Sequence, residues 1–274
     1  MKTRWAILLA ALGAAAIVWA SEEHPARAHY LANAGVMVER GETKILFDPL
    51  FRNSFGQYKL VPEETERALF RGEPPWDSID AVFISHHHGD HFSPRVMLDF
   101  LTARDDIQLF APAQAVSALT AAGGTEETLK RVTEVGLSYG DDPVRLEFED
   151  LTIEAVRVPH SGWPDRMTDI ENIAWRVTID DETTVLHLGD ADTRPEHYEL
   201  HPDHWQGVDT DLALPPFWYF LSPLGRGVLD EHIRPDHAIG VHVPSVIPDE
   251  FFDSPYDEYD LFTIPGETRE ISED

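Results

Sequence analysis

Four histidines and one aspartate within six residues constrain this chain more than any other feature. They occupy residues 86–91, which read His-His-His-Gly-Asp-His. The apolar segment Ile79–Ser85 directly precedes them and is typical of a buried strand. In an extended chain His86 and His88 project to one face, whereas His87 points to the other. A solvated histidine-rich turn is the alternative, but this spacing is too rare to be expected by chance in one chain.

Gly89 permits a sharp turn after the strand, which brings Asp90 and His91 round to a second point near the first pair. The run therefore predicts two ligands for one metal ion and two for a neighbouring ion. Imidazole nitrogen and carboxylate oxygen suit zinc, and iron or manganese fits the same donors. The 274 residues include no cysteine, which excludes disulfides, a thiolate nucleophile and Cys-ligated metal. We therefore expect two divalent metal ions, zinc by default, as cofactors.

Further ligands are expected at the ends of later strands. Two metal ions need about seven protein ligands, including one that bridges them. The segment Val-Pro-His-Ser supplies His160, Leu-His-Leu-Gly-Asp supplies Asp190, and Ile-Gly-Val-His-Val supplies His242. Each segment is weak evidence alone, but together with the first cluster they predict a dinuclear site.

The rest of the chain alternates predicted strands and helices. Residues 51–77 show no clear period and are typical of a long functional loop. Helices are expected to begin near Pro94, Pro112 and Pro195, with another over residues 222–233. Strands in two batches, with helices between them, predict an α/β sandwich with covered sheets and two similar halves. The predicted strands are His29–Glu39, Lys44–Leu50, Ile79–Ser85, Ile107–Ala111, Val144–Glu149, Leu151–Val158, Ile173–Ile179, Thr183–Leu188, Leu212–Leu214 and Ala238–Val243.

The first twenty residues have the pattern of a secretory signal peptide. Lys2 and Arg4 precede an apolar run from Trp5 to Ala20. This run is short for a membrane span, which needs about twenty residues, although an uncleaved membrane anchor is the alternative. We expect residues 1–20 to be removed, leaving one domain over residues 27–274. The protein is then periplasmic or secreted and has no stable insertion in a membrane.

The negative charge of the chain limits the classes of partner that it can bind. It has 50 acidic residues against 21 Lys and Arg, which gives a formal net charge of −29. Such a surface repels phosphate backbones, and the sequence contains no basic patch that would reverse the field. We therefore expect a small-molecule substrate and no nucleic-acid partner.

The order of the histidines and aspartates resembles that of the metallo-β-lactamase-fold hydrolase superfamily. The H-x-H-x-D-H run matches its signature, and His160, Asp190 and His242 follow in the expected order. The segments Lys-Ile-Leu-Phe-Asp-Pro, Leu-His-Leu-Gly-Asp and Pro-Gly-Glu are most similar to one branch of it. That branch contains L-ascorbate-6-phosphate lactonase-like and N-acyl-phosphatidylethanolamine phospholipase D-like enzymes. The resemblance implies an αββα sandwich with two metals at the edge between its sheets.

The resemblance also implies a ligand set and a reaction. Asp90 would orient the nucleophile and carry its proton to the leaving group. The expected protein is an exported binuclear metal-dependent hydrolase that uses a metal-bridging hydroxide on an ester, lactone or amide bond. It is not expected to be a true β-lactamase, since it lacks cysteine. The alternatives are a phosphodiesterase or phospholipase D-like hydrolase and a non-catalytic metal-binding module. The implied ligands form two groups and a bridge: His86, His88 and His160; Asp90, His91 and His242; and Asp190 between them.

Other histidines and one aspartate lie outside this ligand set. Asp48 is either a turn residue at a strand end or an acceptor for a ligand imidazole N–H, with neither favoured. His187 is expected to be packed near the site rather than to be a ligand. The remaining cluster is spaced as on one helical face, but Pro202 would break that helix, so a solvated segment is expected. Its members are His197, His201 and His204.

Candidate substrate contacts come from loops that follow ligand positions. Trp163, Trp218 and Tyr219 are candidates for an apolar pocket wall, with core packing as an equal alternative, and Tyr219 is a candidate donor to a developing oxyanion. Arg166 and Arg194 are candidates for binding an anionic group. Salt bridges to the abundant acids are the favoured interpretation of both arginines.

Overall fold

The computed structural model describes residues 25–246 and 259–272. The predicted signal segment lies outside these residues. Within them, no helix is both long and apolar enough to cross a lipid bilayer. The strands are, in chain order, β1 (Ala26–Ala32), β2 (Gly35–Arg40), β3 (Thr43–Phe47), β4 (Ala81–Phe83), β5 (Gln108–Pro112), β6 (Val132–Val135), β7 (Val144–Phe148), β8 (Leu151–Arg157), β9 (Ile173–Ile179), β10 (Thr183–His187), β11 (Leu212–Leu214), β12 (His237–Gly240), β13 (Asp260–Leu261) and β14 (Thr268–Ile271).

Helices connect and cover these strands. Residues 222–233 are helical as predicted, but they form a short α-helix that continues into a π-helical segment, Val228–Ile233. The α-helices are α1 (Glu63–Arg71), α2 (Pro94–Ala103), α3 (Ala113–Ala121), α4 (Glu126–Leu129), α5 (Glu196–Glu199), α6 (Pro202–Gln206), α7 (Trp218–Leu221) and α8 (Pro223–Gly227).

The strands form two seven-stranded sheets that repeat one pattern. The first has the order β14-β1-β2-β3-β4-β5-β6, and the second has the order β13-β12-β11-β10-β9-β8-β7. In the first sheet β1 to β3 are antiparallel, and β3 to β6 are parallel. In the second sheet β7 to β10 are antiparallel, and β10 to β13 are parallel. This repetition confirms the prediction of two similar halves.

Alternation along the strands separates the cores of the molecule. In β4, Ala81 and Phe83 enter the core between the sheets, whereas Val82 packs under the helices. Trp175 of β9 crosses the inter-sheet core, and its indole N–H donates to the carbonyl oxygen of Ile84 over 2.9 Å. Helices α1 to α3 cover the outer face of the first sheet, and the helices from α5 onward cover the second. The predicted αββα sandwich is therefore confirmed.

Several segments differ from their prediction. Strands β13 and β14 and helices α4 and α7 were not predicted. The predicted strand His29–Glu39 is two strands, because Asn33 has left-handed backbone geometry (φ 52°) and turns the chain between β1 and β2. The predicted loop 51–77 contains α1, in which Leu69 is the fully buried residue, so its apolar period is weak. Strand β6 was not predicted, since it lies at a sheet edge and buries one side chain, Val135.

Candidate metal centre

The histidine run continues directly from β4 and then reverses. The backbone N–H groups of His91 and Phe92 donate to the carbonyl oxygen of His88 over 3.0 and 2.9 Å. This tight turn returns the chain, so that the rings of His86 and His91 lie 4.1 Å apart. The run therefore folds back as the sequence predicted.

Two glycines are closely packed here, and Gly189 is the one whose position excludes a side chain. Gly89 does not adopt left-handed backbone geometry, but a Cβ at this position would lie 3.1 Å from Cβ of Asn53. Gly189 does adopt it (φ 57°), and a Cβ there would lie 2.6 Å from Cβ of Ser85. The second contact brings the loop after β10 against the loop after β4.

The other three predicted ligands follow strands of the second sheet. His160 follows β8 and forms an isolated antiparallel bridge with Ala191, so the loops after β8 and β10 run together. His242 follows β12 with left-handed backbone geometry (φ 61°), and its N–H donates to the carbonyl oxygen of Asn33 over 2.8 Å. All seven predicted ligands, including Asp190, are thereby brought to one place.

One group of ligand atoms surrounds Nε2 of His86. This atom lies 3.0 Å from Nδ1 of His88 and 4.0 Å from Oδ2 of Asp190. The same Asp190 oxygen lies 3.3 Å from Nε2 of His160. His86, His88 and His160 each offer one ligand atom, and these atoms lie within 4.8 Å of one another.

A second group surrounds the other oxygen of Asp190. Its Oδ1 lies 3.1 Å from Nε2 of His91 and 3.4 Å from Nε2 of His242. Oδ2 of Asp90 lies 3.2 Å from that His242 nitrogen and 3.9 Å from that of His91. The two oxygens of Asp190 therefore face two different sets of ligands.

Several buried polar atoms of these ligands are left without a hydrogen bond. They include Nε2 of His91, Nε2 of His160 and Oδ1 of Asp190. The His91 and Asp190 atoms are close, but their relative angle makes no hydrogen bond, as expected of atoms that converge on a common point. Buried polar atoms rarely lack a partner, and this donor set of nitrogen and oxygen suits divalent metals. The residues present fit two metal ions.

Asp48 orients one ligand from behind. Its Oδ2 lies 2.8 Å from Nδ1 of His91 and accepts from the hydroxyl of Ser85 over 2.5 Å, while Oδ1 accepts from the Ser85 N–H over 2.8 Å. The Ser85 hydroxyl also lies 3.0 Å from Nδ1 of His86. Asp48 has left-handed backbone geometry (φ 41°) after β3, so it combines the two roles that the sequence left open.

His187 is packed, as expected, and is not a ligand. Its Nε2 lies 2.9 Å from the carbonyl oxygen of Ala34, and its ring stacks on Phe47 with centroids 5.0 Å apart.

Burial and charge set the protonation of the ligands. Burial lowers the pKa of His86 well below 6.5, and burial together with His160 lowers the pKa of His88 to about 4. Burial favours the neutral form of Asp190, but His242 and His91 outweigh it and hold its pKa well below the usual value. These shifts favour a neutral imidazole at His86 and His88 and an ionised carboxylate at Asp190, which are the forms that bind metal. Burial lowers the pKa of His91 and of His160, but Asp190 outweighs burial and raises both.

A cavity of about 310 Å³ opens onto the ligand groups. Trp218 lines it as predicted, with its ring edge-on to His242 at a centroid distance of 5.3 Å. A larger cavity of about 480 Å³ shares none of these lining residues, so size alone does not select the site. The smaller cavity is also lined by Phe55, Gln57, Tyr58, His88, Asp90, His160, Ser161, Arg166, Met167, Asp190 and His242.

Two predicted substrate contacts do not line this cavity. Tyr219 is fully buried, and its hydroxyl donates to the carbonyl oxygen of Asp192 over 3.0 Å. The ring of Trp163 packs against His197 at 5.0 Å, under the guanidinium of Arg194. Neither position supports the predicted contact with substrate.

The prediction of a solvated segment at residues 197–204 is wrong for two of its histidines. His197 and His204 are 3% and 8% exposed, because α5 and α6 turn these side chains inward. His197 lies 3.4 Å from Asp192. Neither histidine belongs to a possible metal-binding group within the residues that the structure describes.

Some functional positions had no sequence signal, and others had a partial one. Asn33 is a fully buried turn residue whose side-chain N–H₂ donates to the carbonyl oxygen of Asp90 over 2.8 Å. Tyr58 belongs to the segment expected to be a functional loop, and its ring lies edge-on to His242 at 4.2 Å. Arg194 pairs with Asp192 as expected, whereas Arg166 faces the cavity.

Comparison with known proteins agrees with this geometry. Residues 43–208 match the model of a family described as the β-lactamase superfamily domain. The chain belongs to the β-lactamase superfamily. No curated protein sequence matches the chain.

Solved structures show that this member of the superfamily has the metallo-β-lactamase fold. Igni18, described as a novel metallo hydrolase from Ignicoccus hospitalis, has a TM-score of 0.59 and 19% identity over 89% of this chain and 97% of its own. YhfI from Bacillus subtilis, described as a metallo-β-lactamase fold protein, has a TM-score of 0.59 and 16% identity over 90% of this chain and 100% of its own. The isothiocyanate hydrolase from Delia radicum gut bacteria has a TM-score of 0.56 and 15% identity over 89% of this chain and 98% of its own.

Proposed function

We propose that this protein is a binuclear metal-dependent hydrolase that acts on an ester, lactone or amide bond of a small molecule. The observation that carries the proposal is the division of the ligand atoms into two groups, each facing one oxygen of Asp190. The superfamily match and the metallo hydrolase among the similar structures support it. The lactonase and phospholipase branch stays a prediction from the sequence.

In the proposed site, different ligands hold each of the two metal ions. His86, His88 and His160 would hold one metal ion, Asp90, His91 and His242 the other, and Asp190 would bridge them. Two such ions supply a Lewis acid for the scissile group and a water of lowered pKa. Zinc is the proposed metal, and iron or manganese fits the same donors.

Asp90 is proposed to handle the proton. Its carboxylate lines the cavity and lies 3.2 Å from Nε2 of His242. Burial raises its pKa, but the hydrogen bond from His242 and the charge of His91 outweigh burial and lower it. An ionised Asp90 can orient the attacking water, take its proton and return that proton to the leaving group.

A substrate panel on protein of measured metal content tests this proposal. We expect hydrolysis of 4-nitrophenyl esters, lactones or anilides, and a loss of turnover in Asp90→Asn that exceeds its loss of metal. Hydrolysis of bis-4-nitrophenyl phosphate alone would replace the proposal with a phosphodiesterase. Two bound metals without hydrolysis of any substrate would replace it with a metal-binding module.

Export is proposed from the sequence of residues 1–20 alone. Mass spectrometry of the protein from fractionated cells of its own host tests it. A mature chain beginning at Ser21 outside the cytoplasm is expected. An intact Met1 in the membrane fraction would indicate an anchor instead.

A further inference from the structure

Arg166 lies in the loop that follows His160, and its side chain is exposed. Its backbone N–H donates to the carbonyl oxygen of Gly162 over 2.9 Å, which closes a turn two residues after His160. Its side chain lies across Gly162, because a Cβ built there would be 3.7 Å from both Nε and Nη2 of Arg166. The guanidinium therefore lies at the cavity that the metal ligands share.

This guanidinium has no acidic partner within residues 25–246 and 259–272. The absence is unusual, because the chain has 50 acidic residues against 21 Lys and Arg. Arg194, on the neighbouring loop, pairs with Asp192 and stacks on Trp163. Arg67 and Arg234 are the other described arginines without a carboxylate or carbonyl partner, and neither lines this cavity. An unpaired guanidinium at a cavity is available to a ligand.

Apart from the proposed metal ligands, the cavity around Arg166 combines the guanidinium with an apolar wall. Phe55, Tyr58, Met167 and Trp218 contribute the apolar and aromatic surface. Arginine presents a planar fork of N–H donors that matches carboxylate and phosphate oxygens. The lining thus suits an organic anion with an apolar body, because a neutral molecule cannot form an ion pair with Arg166.

We propose that Arg166 binds a carboxylate or phosphate group on the substrate, so that the site selects anionic over neutral molecules. This proposal rests on the proposed hydrolase function for the reaction, but its binding part is independent of turnover. Arg166 is thereby a specificity-determining residue. The bond that is cleaved lies at the histidines, and the anionic group of the substrate lies at the Arg166 guanidinium.

Calorimetric binding to metal-loaded protein tests the anion site directly. The probes are 3-phenylpropane-1-sulfonate, a weakly coordinating anion, and its neutral analogue 3-phenylpropyl methyl sulfone. Wild type and the control Arg67→Met should bind the sulfonate about tenfold more tightly than the sulfone. Arg166→Met should lose this preference, and Arg166→Lys should keep part of it. A wild type without preference, or an Arg166→Met that keeps it, would overturn the proposal.

Turnover separates this proposal from the proposed function and identifies the anion. The substrates are three 4-nitrophenyl carboxylic esters. The succinate monoester carries a free carboxylate, the ester at the carboxyl group of phosphoglycolic acid carries a free phosphate, and the butyrate is neutral. Arg166→Met should raise KM about tenfold for the preferred anionic ester and leave kcat and the butyrate KM unchanged. If no ester is cleaved but the sulfonate preference depends on Arg166, the hydrolase proposal fails and the anion site stands. If esters are cleaved but Arg166→Met changes neither binding nor KM, the anion site fails alone.

Discussion

Oδ2 of Asp48 lies 2.8 Å from Nδ1 of His91, and both residues are fully buried. A carboxylate acceptor beside Nδ1 favours a proton on that nitrogen of His91, while Nε2 faces Asp190 and the proposed metal. A histidine ligand is commonly oriented in this way, and the loss of the acceptor weakens metal binding without removal of a ligand.

Asp48→Asn should lower the affinity for one of two metal ions by about 10- to 100-fold. The amide retains the shape of the side chain but accepts less strongly from the imidazole. Competition with a chromophoric chelator measures the affinity of each ion. Asp99→Asn is the matched control, since Asp99 forms an exposed ion pair with Arg95 on α2. Two ions bound to Asp48→Asn as tightly as to wild type would contradict this role.

Asp190→Ala should reduce the metal content from two ions per chain to one or none. Hydrolysis should fall more than about 100-fold, the upper range for residues that only orient ligands. Metal at 100 times its Kd should stabilise the wild type by about 2.7 kcal/mol per ion, with a matching rise in Tm. Elemental analysis and thermal unfolding with and without chelator measure both effects. An Asp190→Ala variant that retains two ions and the full Tm rise would exclude a bridge.

Local periodicity predicted most of the strands because each core uses alternate residues of a strand. Strands β9 and β11 were predicted with their observed bounds, since β9 ends at the polar turn Asp180-Asp181 and β11 lies between Asp211 and Pro215. The turn at Asn33 was missed because distant segments hold it: the Asn33 side chain donates to the carbonyl oxygen of Asp90, and its carbonyl oxygen accepts from the N–H of His242. Strand β6 was missed because it is defined by its pairing with β5, about twenty residues earlier. Sequence spacing does not contain that information.

The clustering of the proposed metal ligands was predictable because metals demand particular side chains at strand ends. The cavity wall was less predictable, because burial depends on which neighbours a helix or loop meets. Tyr219 and Trp218 are adjacent in sequence, yet one is fully buried and the other lines the cavity. The histidines of α5 and α6 show the same limit: their spacing gave no sign that His197 would pack against Tyr139 and Trp163, or that His204 would lie beside Arg176 of β9.

Tyr58→Phe and Tyr219→Phe each remove one hydroxyl and should have opposite consequences. Burial, together with Asp190 and Asp90, raises the pKa of Tyr58 to about 12, so its hydroxyl stays protonated at the cavity. Its loss should alter kcat or KM with little change in Tm. Tyr219→Phe should cost about 1 kcal/mol of folding free energy, because its hydrogen bond to Asp192 is buried, and leave KM unchanged. Urea unfolding and steady-state kinetics on both variants measure this. Unaltered kinetics in Tyr58→Phe, or a raised KM in Tyr219→Phe, would reverse the assignment.

His204 should make the fold sensitive to acid independently of the metal ligands. Burial, together with Arg176, lowers its pKa from 6.5 to about 3, and Nε2 has no hydrogen-bond partner. Above pH 6.5 the histidine is neutral in both states and contributes no pH dependence. As the pH falls from about 6.5 towards 3, His204 binds a proton in the unfolded chain but stays neutral in the folded chain. The free energy of unfolding then falls by up to about 1.4 kcal/mol per pH unit.

His204→Phe should remove this part of the pH dependence. The ring is retained beside Trp205, against which His204 packs at 4.7 Å, but no proton can be bound. Urea unfolding of chelated protein from pH 8 to pH 4 should show a shallower loss of stability in the variant. His201→Phe, at a partly exposed position of the same segment, should keep the wild-type slope. Equal slopes for wild type and His204→Phe would show that His204 is protonated in the folded protein.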